Sequence, residues 1–460
     1  MEVQQTKPIE SYTVWTYFIV LTFVYGLVLS FMQHGAGAVG AITDGLWTIF
    51  TSPATLLHDY IAMVGIGPAF INSALAGLLI LITFKYIAKS PATGPQMGVF
   101  GLVMGFAFLG KNPANMIPIL AGAYLFALYK KEPYKNTVTM AGFSTCLAPI
   151  VSQPAHVPQF VAALGTAGAV LMGVVLGLII GFVINAMAVF IRKSHEGLNL
   201  YNIGWGAGLL SLGLTMIYNT LGVTPFGPGS ANPGGFSIAG VRGVADFYNT
   251  ELYLFIALTA VFFLAMGLLS GAKFDNLKEL TYLKADDNNF YVAHGAGKSY
   301  LGMGLLGVLA TVLVLVFQVN INAAVLGAII SMVGWGGFGK TVANVLSIGS
   351  GVLLAGLLRY VTDARFLADG VGVGSYFSTQ AVIWSTLFWG SCLSPMAKYF
   401  GWKWGIVVGM MHFFVTYTLA PFHWGQNLYN NGMAAGFVCL IMIPLIRSLD
   451  KQGKYPPRAV

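Results

Sequence analysis

Apolar runs follow one another along almost the whole chain. They occupy 13–32, 67–87, 96–110, 113–129, 137–151, 165–191, 203–222, 250–272, 299–318, 321–337, 341–358, 377–397, 402–420 and 431–447. A helix needs about 20 apolar residues to cross the ~30 Å hydrocarbon core of a bilayer. Several of these runs are too short, or too rich in Gly and Pro, to cross alone. The pattern predicts an all-α integral membrane protein with about ten to twelve crossings, the other pieces being half-helices that enter and return. Segment 44–65, with Ser52-Pro53 and His58-Asp59, reads as such a piece or as an interfacial helix. The first run is long enough to span and lacks a strongly basic leader, so it reads as a helix rather than a cleaved signal.

A repeat is superposed on this pattern. His195-Glu196-Gly197-Leu198-Asn199-Leu200-Tyr201-Asn202 returns as His423-Trp424-Gly425-Gln426-Asn427-Leu428-Tyr429-Asn430. Carried on to Gly208 and Gly436, nine of fourteen positions agree without a gap. Gly110-Lys111-Asn112-Pro113-Ala114-Asn115 matches Gly339-Lys340-Thr341-Val342-Ala343-Asn344, and Thr145-Cys146-Leu147-Ala148-Pro149 resembles Ser391-Cys392-Leu393-Ser394-Pro395. The three motifs keep their order, so the chain reads as two related halves. The expected division is 1–272 for the first half, 273–298 for a cytoplasmic loop and 299–460 for the second half. Seven candidate spans separate the two H-x-G-x-N-L-Y-N copies, and an odd number of crossings would invert one half against the other. Lys130 and Arg359, both basic at matching ends, favour the same side instead. Inversion is the preferred reading.

Composition agrees with the bilayer. The chain is 57% hydrophobic and 8% charged, with a mean hydropathy of +0.76, whereas soluble domains carry roughly 25% charged residues. The net charge of +8 comes from short basic clusters between apolar runs, as in cytoplasmic loops of membrane proteins, and is no nucleic-acid signal. The cluster from Arg447 to Arg458 predicts a cytoplasmic C-terminus. Cys146, Cys392 and Cys439 lie in apolar segments and read as packed thiols.

Polar groups at membrane depth are costly unless paired or set against a wet cavity. Asn199, Tyr201 and Asn202, with Asn427, Tyr429 and Asn430, therefore read either as the lining of a solute site between the halves or as caps and interhelical bonds. His195 and His423 read as gate, proton or substrate groups, or as interfacial residues, with the interfacial reading preferred. Lys111 and Lys340 could face a cavity that takes an anion or a polar carbonyl, but snorkelling to the surface is the preferred reading. Asn115 and Asn344, four residues further on, could share a helix face with them. Gly334 to Thr341 satisfies the phosphate-loop pattern, yet it joins apolar helices rather than a strand and a helix, so it is set aside. No metal or cofactor site is predicted, and no membrane-enzyme signature stands out. The Gly/Pro-rich stretch from Thr224 to Gly235 reads as an external or re-entrant loop.

Both Y-N motifs and the G-K-N-P-A-N stretch resemble a bacterial family of polytopic membrane proteins classed as a domain of unknown function. A second, partial resemblance is to the urea transporters. It rests on Asn72-Ser73-Ala74-Leu75-Ala76-Gly77-Leu78-Leu79-Ile80 and the weaker Asn322 to Gly327, with Gly197 to Asn202 and Gly425 to Asn430. That likeness implies two inverted five-helix repeats around a pore, a trimer, and passage of urea or similar neutral solutes. The selectivity signature of those transporters is absent here; Leu221 to Phe226 is the nearest text.

The expectation is a multi-pass protein of the bacterial inner membrane that passes a small polar solute between its halves, as a dimer or trimer if it is a homo-oligomer. The scarcity of intramembrane carboxylates favours a channel or facilitator over an ion-coupled secondary transporter. The alternative class is a membrane-embedded enzyme using His195 and His423 as acid–base groups.

Overall fold

The structure, a computed structural model, describes residues 9–56, 58–223, 249–273, 275–276, 280 and 290–458. The stretch Thr224 to Gly235 and half of the polar loop 273–298 lie outside the described residues. The chain is 82% helical, and no strand occurs among the described residues. The elements run α1 (Ser11–His34), α2 (Ala38–Phe50), α3 (Tyr60–Val64), α4 (Ile66–Leu81), α5 (Gly94–Phe106) and α6 (Pro113–Lys130). Then come α7 (Val138–Ser144), α8 (Ala148–Ser152), α9 (Pro158–Ser194), α10 (Asn202–Thr220), α11 (Asn249–Leu269) and α12 (Phe290–Val316). Next are α13 (Ala323–Gly334), α14 (Val342–Thr362), α15 (Ala364–Ala368) and α16 (Val373–Thr379). The last four are α17 (Ala381–Gly390), α18 (Ser394–Phe400), α19 (Trp402–Leu419) and α20 (Asn430–Leu449).

Eight helical stretches among the described residues are long and apolar enough to cross a membrane. Several of the other apolar runs are half-length, as the sequence predicts. Helix α5 has 13 residues and its counterpart α13 has 12. At 1.5 Å per residue each spans only roughly 20 Å. Short pieces inside a bilayer are tolerated where protein covers their ends, and the described residues 97–112 are buried throughout.

The repeat extends to the places where the backbone breaks. Gly65 precedes α4 at φ 84°, ψ 170°, and Gly295 interrupts α12 at φ 84°, ψ 168°. Gly165 interrupts α9 at φ 68°, ψ 167°, and Gly401 separates α18 from α19 at φ 95°, ψ 160°. Gly110 and Gly339, just before the two lysines, sit at φ 99° and 103°. These are left-handed conformations that favour glycine, so the same break is specified twice by the same residue type.

Helix pairing repeats as well. Helices α6 and α9 meet backbone to backbone at Gly122 and Gly181, and α14 and α19 meet in the same way at Gly351 and Gly409. Small residues that let backbones approach are the usual means of helix association in lipid. The counterparts α5 and α13 pack on each other. A methyl group added at Gly101 would lie 2.8 Å from Gly334 Cα, while Gly105 faces Gly327. The earlier glycine of each helix meets the later glycine of the other, so the two run antiparallel. Repeat-related helices that run antiparallel belong to an inverted repeat.

Candidate functional site

The two copies of H-x-G-x-N-L-Y-N form a pair of interlocked turns where α10 crosses α20. In each copy two successive residues are left-handed: Glu196 and Gly197 at φ 52° and 70°, Trp424 and Gly425 at φ 52° and 68°. The histidine Nδ1 accepts the backbone N–H of the motif asparagine, His195 from Asn199 at 3.3 Å and His423 from Asn427 at 3.4 Å. With Nδ1 accepting, the neutral ring carries its proton on Nε2. That nitrogen meets Asn202 Oδ1 at 2.8 Å and Asn430 Oδ1 at 3.0 Å. Asn202 and Asn430 then donate to the Ala188 and Thr416 carbonyls at 3.3 and 3.2 Å.

Asn199 and Asn427 link the halves. Each accepts the N–H of its own tyrosine, Tyr201 at 2.9 Å and Tyr429 at 3.0 Å. Each donates across the crossing, Asn199 to Gly432 O at 3.0 Å and Asn427 to Gly204 O at 3.1 Å. Gly204 and Gly432 stand at the crossing itself, where a methyl on either would lie 2.9 Å from the other's Cα. The leucines complete the exchange: Leu200 N–H donates to Cys392 O at 3.0 Å and Leu428 N–H to Cys146 O at 2.9 Å. All three cysteines are buried and free.

The lysines do not snorkel. Lys111 is fully buried and Lys340 is 3% exposed. The reason is their position: each lies in the loop between a half-length helix and the next helix, below the protein surface. Nor do they share a helix face with the asparagines, because Asn112 and Thr341 cap α6 and α14 after the lysines have passed. Asn115 closes the α6 capping box and donates to Gly110 O and Ser152 Oγ, both at 3.1 Å. Asn344 donates its backbone N–H to Thr341 Oγ1 at 3.4 Å. His195 and His423 are likewise buried, not interfacial, because the two left-handed residues turn the chain inward.

Each lysine reaches a tyrosine of the opposite half. Lys111 Nζ donates to Tyr429 Oη at 2.8 Å and Thr145 Oγ1 at 2.9 Å. Lys340 Nζ donates to Ser391 Oγ at 2.6 Å and lies 5.1 Å from the centroid of the Tyr201 ring. An aromatic five residues before each lysine completes the frame. Phe106 packs on Tyr429 at 4.9 Å and Trp335 on Tyr201 at 5.5 Å. These aromatics stack in turn on Trp389 and Phe143, at 4.5 and 5.5 Å. Sequence reasoning missed Trp335, Phe106, Thr145 and Ser391 as site residues. Their signal was the recurrence of each type of position within the repeated motifs.

The symmetry fails in one respect. A cavity of about 190 Å³ reaches Tyr201 and Tyr429 from beside the exposed Arg192. His195, Asn199 and Asn202 line it, with Phe143 and Trp335 on its walls. The second copy is more enclosed at two positions: Leu428 and Asn430 are each 1% exposed where Leu200 and Asn202 are half-buried, while the histidines and Asn199 and Asn427 are buried in both halves. In the second copy Gln426 Nε2 donates to Gln153 Oε1 at 2.6 Å, and Trp424 stacks on Tyr218 at 6.1 Å. So the cavity gathers His195, Asn199, Tyr201, Asn202 and Tyr429. It leaves His423, Asn427, Asn430, Asn115 and Asn344 outside, with Lys111 and Lys340 behind the aromatic walls.

Fold and site together define a multi-pass α-helical membrane protein with a repeated polar centre. The chain belongs to the family described as protein of unknown function (DUF1576), whose model matches residues 39–220 and 270–448. No curated protein and no solved structure matches the chain. None of the comparisons carries the likeness to urea transporters.

Proposed function

We propose that this protein is a carrier for a small solute, working by alternating exposure of the two Y-N motifs rather than as an open channel. The observation that carries the reading is a contrast among the described residues between near-identical motifs: a cavity lies beside the half-buried Leu200 and Asn202, whereas Leu428 and Asn430 are buried. Inverted repeats can exchange conformations, and the exchange would move the opening from one end to the other. The facilitator anticipated from the sequence would need a continuous path; among the described residues the cavity reaches the Tyr201–Tyr429 pair, whose rings are 6.1 Å apart. The enzyme alternative loses support because both ring nitrogens of His195 and of His423 are already engaged within the motif.

In this reading the open end is cytoplasmic. Arg192 borders the cavity, and Arg447, which holds Glu196, ties the basic C-terminal segment to the same end. Basic residues mark the cytoplasmic side. We also place the division between the halves ahead of Asn249, because α11 packs along α12 as α1 packs along α4.

The test uses single-cysteine reporters in a background without Cys146, Cys392 and Cys439. Leu200→Cys lines the cavity and its twin Leu428→Cys is 1% exposed. In oriented vesicles, impermeant maleimide should label Leu200→Cys from the basic end and Leu428→Cys only from the other end. Conditions that raise one labelling rate should lower the other. Labelling of both positions from one side would identify a channel and refute the carrier.

A further inference from the structure

The geometry points to a small organic anion, a carboxylate with an apolar body, as the ligand of the cavity between Tyr201 and Arg192. This inference rests on the transport reading for its purpose, but its observations concern binding alone.

The first observation is an excess of donors. Lys111 and Lys340 are buried, and neither makes an ion pair with a carboxylate among the described residues. Two ammonium groups in a low-dielectric centre are costly unless something of opposite charge answers them. The sequence provides no acidic residue in either lysine motif or in the Y-N motif of the second half. Glu196, the one carboxylate in the first, is taken by Arg447 at 2.5 Å.

The second observation is where the partners run out. In one pair the lysine–tyrosine bond is made, from Lys111 to Tyr429. In the other it is not: Tyr201 Oη is buried and has no hydrogen-bond partner, and neither has Trp335 Nε1. Both residues line the cavity, and Lys340 Nζ lies 5.1 and 6.0 Å from their ring centroids. Buried polar groups are normally satisfied, so each orphan calls for a partner. A phenol hydroxyl and an indole N–H can both donate, with the Lys340 amine behind their rings, and the ligand that satisfies the pair is an acceptor.

The third observation is the rest of the wall. Leu102, Met140, Phe143 and Phe338 face the same space, so an inorganic oxyanion would leave apolar surface unmatched. The volume, about 190 Å³, is near the ~150 Å³ of an apolar cavity known to admit benzene. A ring or short chain bearing one carboxylate matches both ends. Exposed Arg192 at the entrance would draw such an anion in.

The experiment is calorimetric titration of the purified full-length protein in detergent with benzoate and butyrate, with inorganic phosphate and urea as comparison probes. Saturable carboxylate binding is expected, weakened about tenfold or more by Tyr201→Phe, since hydrogen bonds to a charged group carry that much, and weakened less by Lys340→Met, whose charge acts from behind the Tyr201 and Trp335 rings. Tyr201→Phe removes an unpartnered hydroxyl and should leave folding intact, so it keeps the test decisive if Lys340→Met misfolds. Benzoate and butyrate binding that is absent, or unaltered by Tyr201→Phe, overturns the inference. Tighter binding of phosphate or urea than of both carboxylates overturns it too. Flux of the same probes into vesicles is read separately. Urea flux without carboxylate binding would sink the anion assignment and leave the carrier standing. Carboxylate binding without any flux would do the reverse.

Discussion

Replacing Gly204 with alanine tests the interlocked centre most directly. The added methyl would lie 2.9 Å from Gly432 Cα, 2.9 Å from Tyr429 Cβ and 3.1 Å from Tyr429 O. Two of those neighbours are backbone atoms, so α10 and α20 must separate by several tenths of an ångström. Overpacking of this kind costs about 1–3 kcal/mol. Separation also stretches the two bonds that cross the contact, Asn199 to Gly432 O and Asn427 to Gly204 O. Each contributes about 0.5–1.5 kcal/mol net. Alanine returns roughly 1 kcal/mol of helix propensity relative to glycine. The expected net loss is therefore about 3 kcal/mol. Gly213 on the same helix is the control, because a methyl there meets nothing within 4 Å. Gly213→Ala should be neutral or stabilising. The assay is reversible unfolding of the purified protein in mixed detergent and denaturing surfactant, followed by circular dichroism. If the two variants unfold at the same surfactant fraction, the close crossing is not what holds the halves together, and the reasoning fails.

Two further outcomes follow from the asymmetry and from the basic end. Tyr429→Phe removes the acceptor of a buried lysine and should cost about 1–3 kcal/mol, while Tyr201→Phe, whose hydroxyl has no partner, should cost nothing measurable in the same unfolding assay. Glu196 is held below the ordinary glutamate value by its hydrogen bonds to Arg447, at 2.5 and 2.6 Å, against the opposing effect of burial. A depressed carboxylate stabilises the fold at neutral pH and loses that contribution as pH falls through the lowered value. Glu196→Gln should therefore lower the thermal midpoint at pH 7 and differ less and less from wild type as the pH drops below about 4.5, the unperturbed glutamate value. A gap that stays constant with pH would show that the ion pair with Arg447 is not responsible.

Much of the architecture was legible because it is local. Apolar runs specify helices in lipid wherever they stand, and glycines at 65, 110, 165, 295, 339 and 401 specify breaks because left-handed backbone favours them. The Y-N motif is held by bonds within itself, so those among His195, Asn199 and Asn202 are the same in the second copy. The lysines were misread for the same reason. A lysine between apolar runs looks the same whether its loop ends at the surface or at the centre, and only the half-length of α5 and α13 puts it at the centre.

What the sequence determined by itself is the repeat: two sets of helices, breaks and polar motifs that fold alike because they contain alike residues. What the tertiary structure alone decided is which set is open. Lys111 meets Tyr429 across a separation of 318 residues, while Lys340 and Tyr201 stand close without that bond. Near-identical motifs have near-identical local preferences. The difference between cavity and seal comes from the packing of one half against the other, a property of the whole bundle that no single stretch of chain contains.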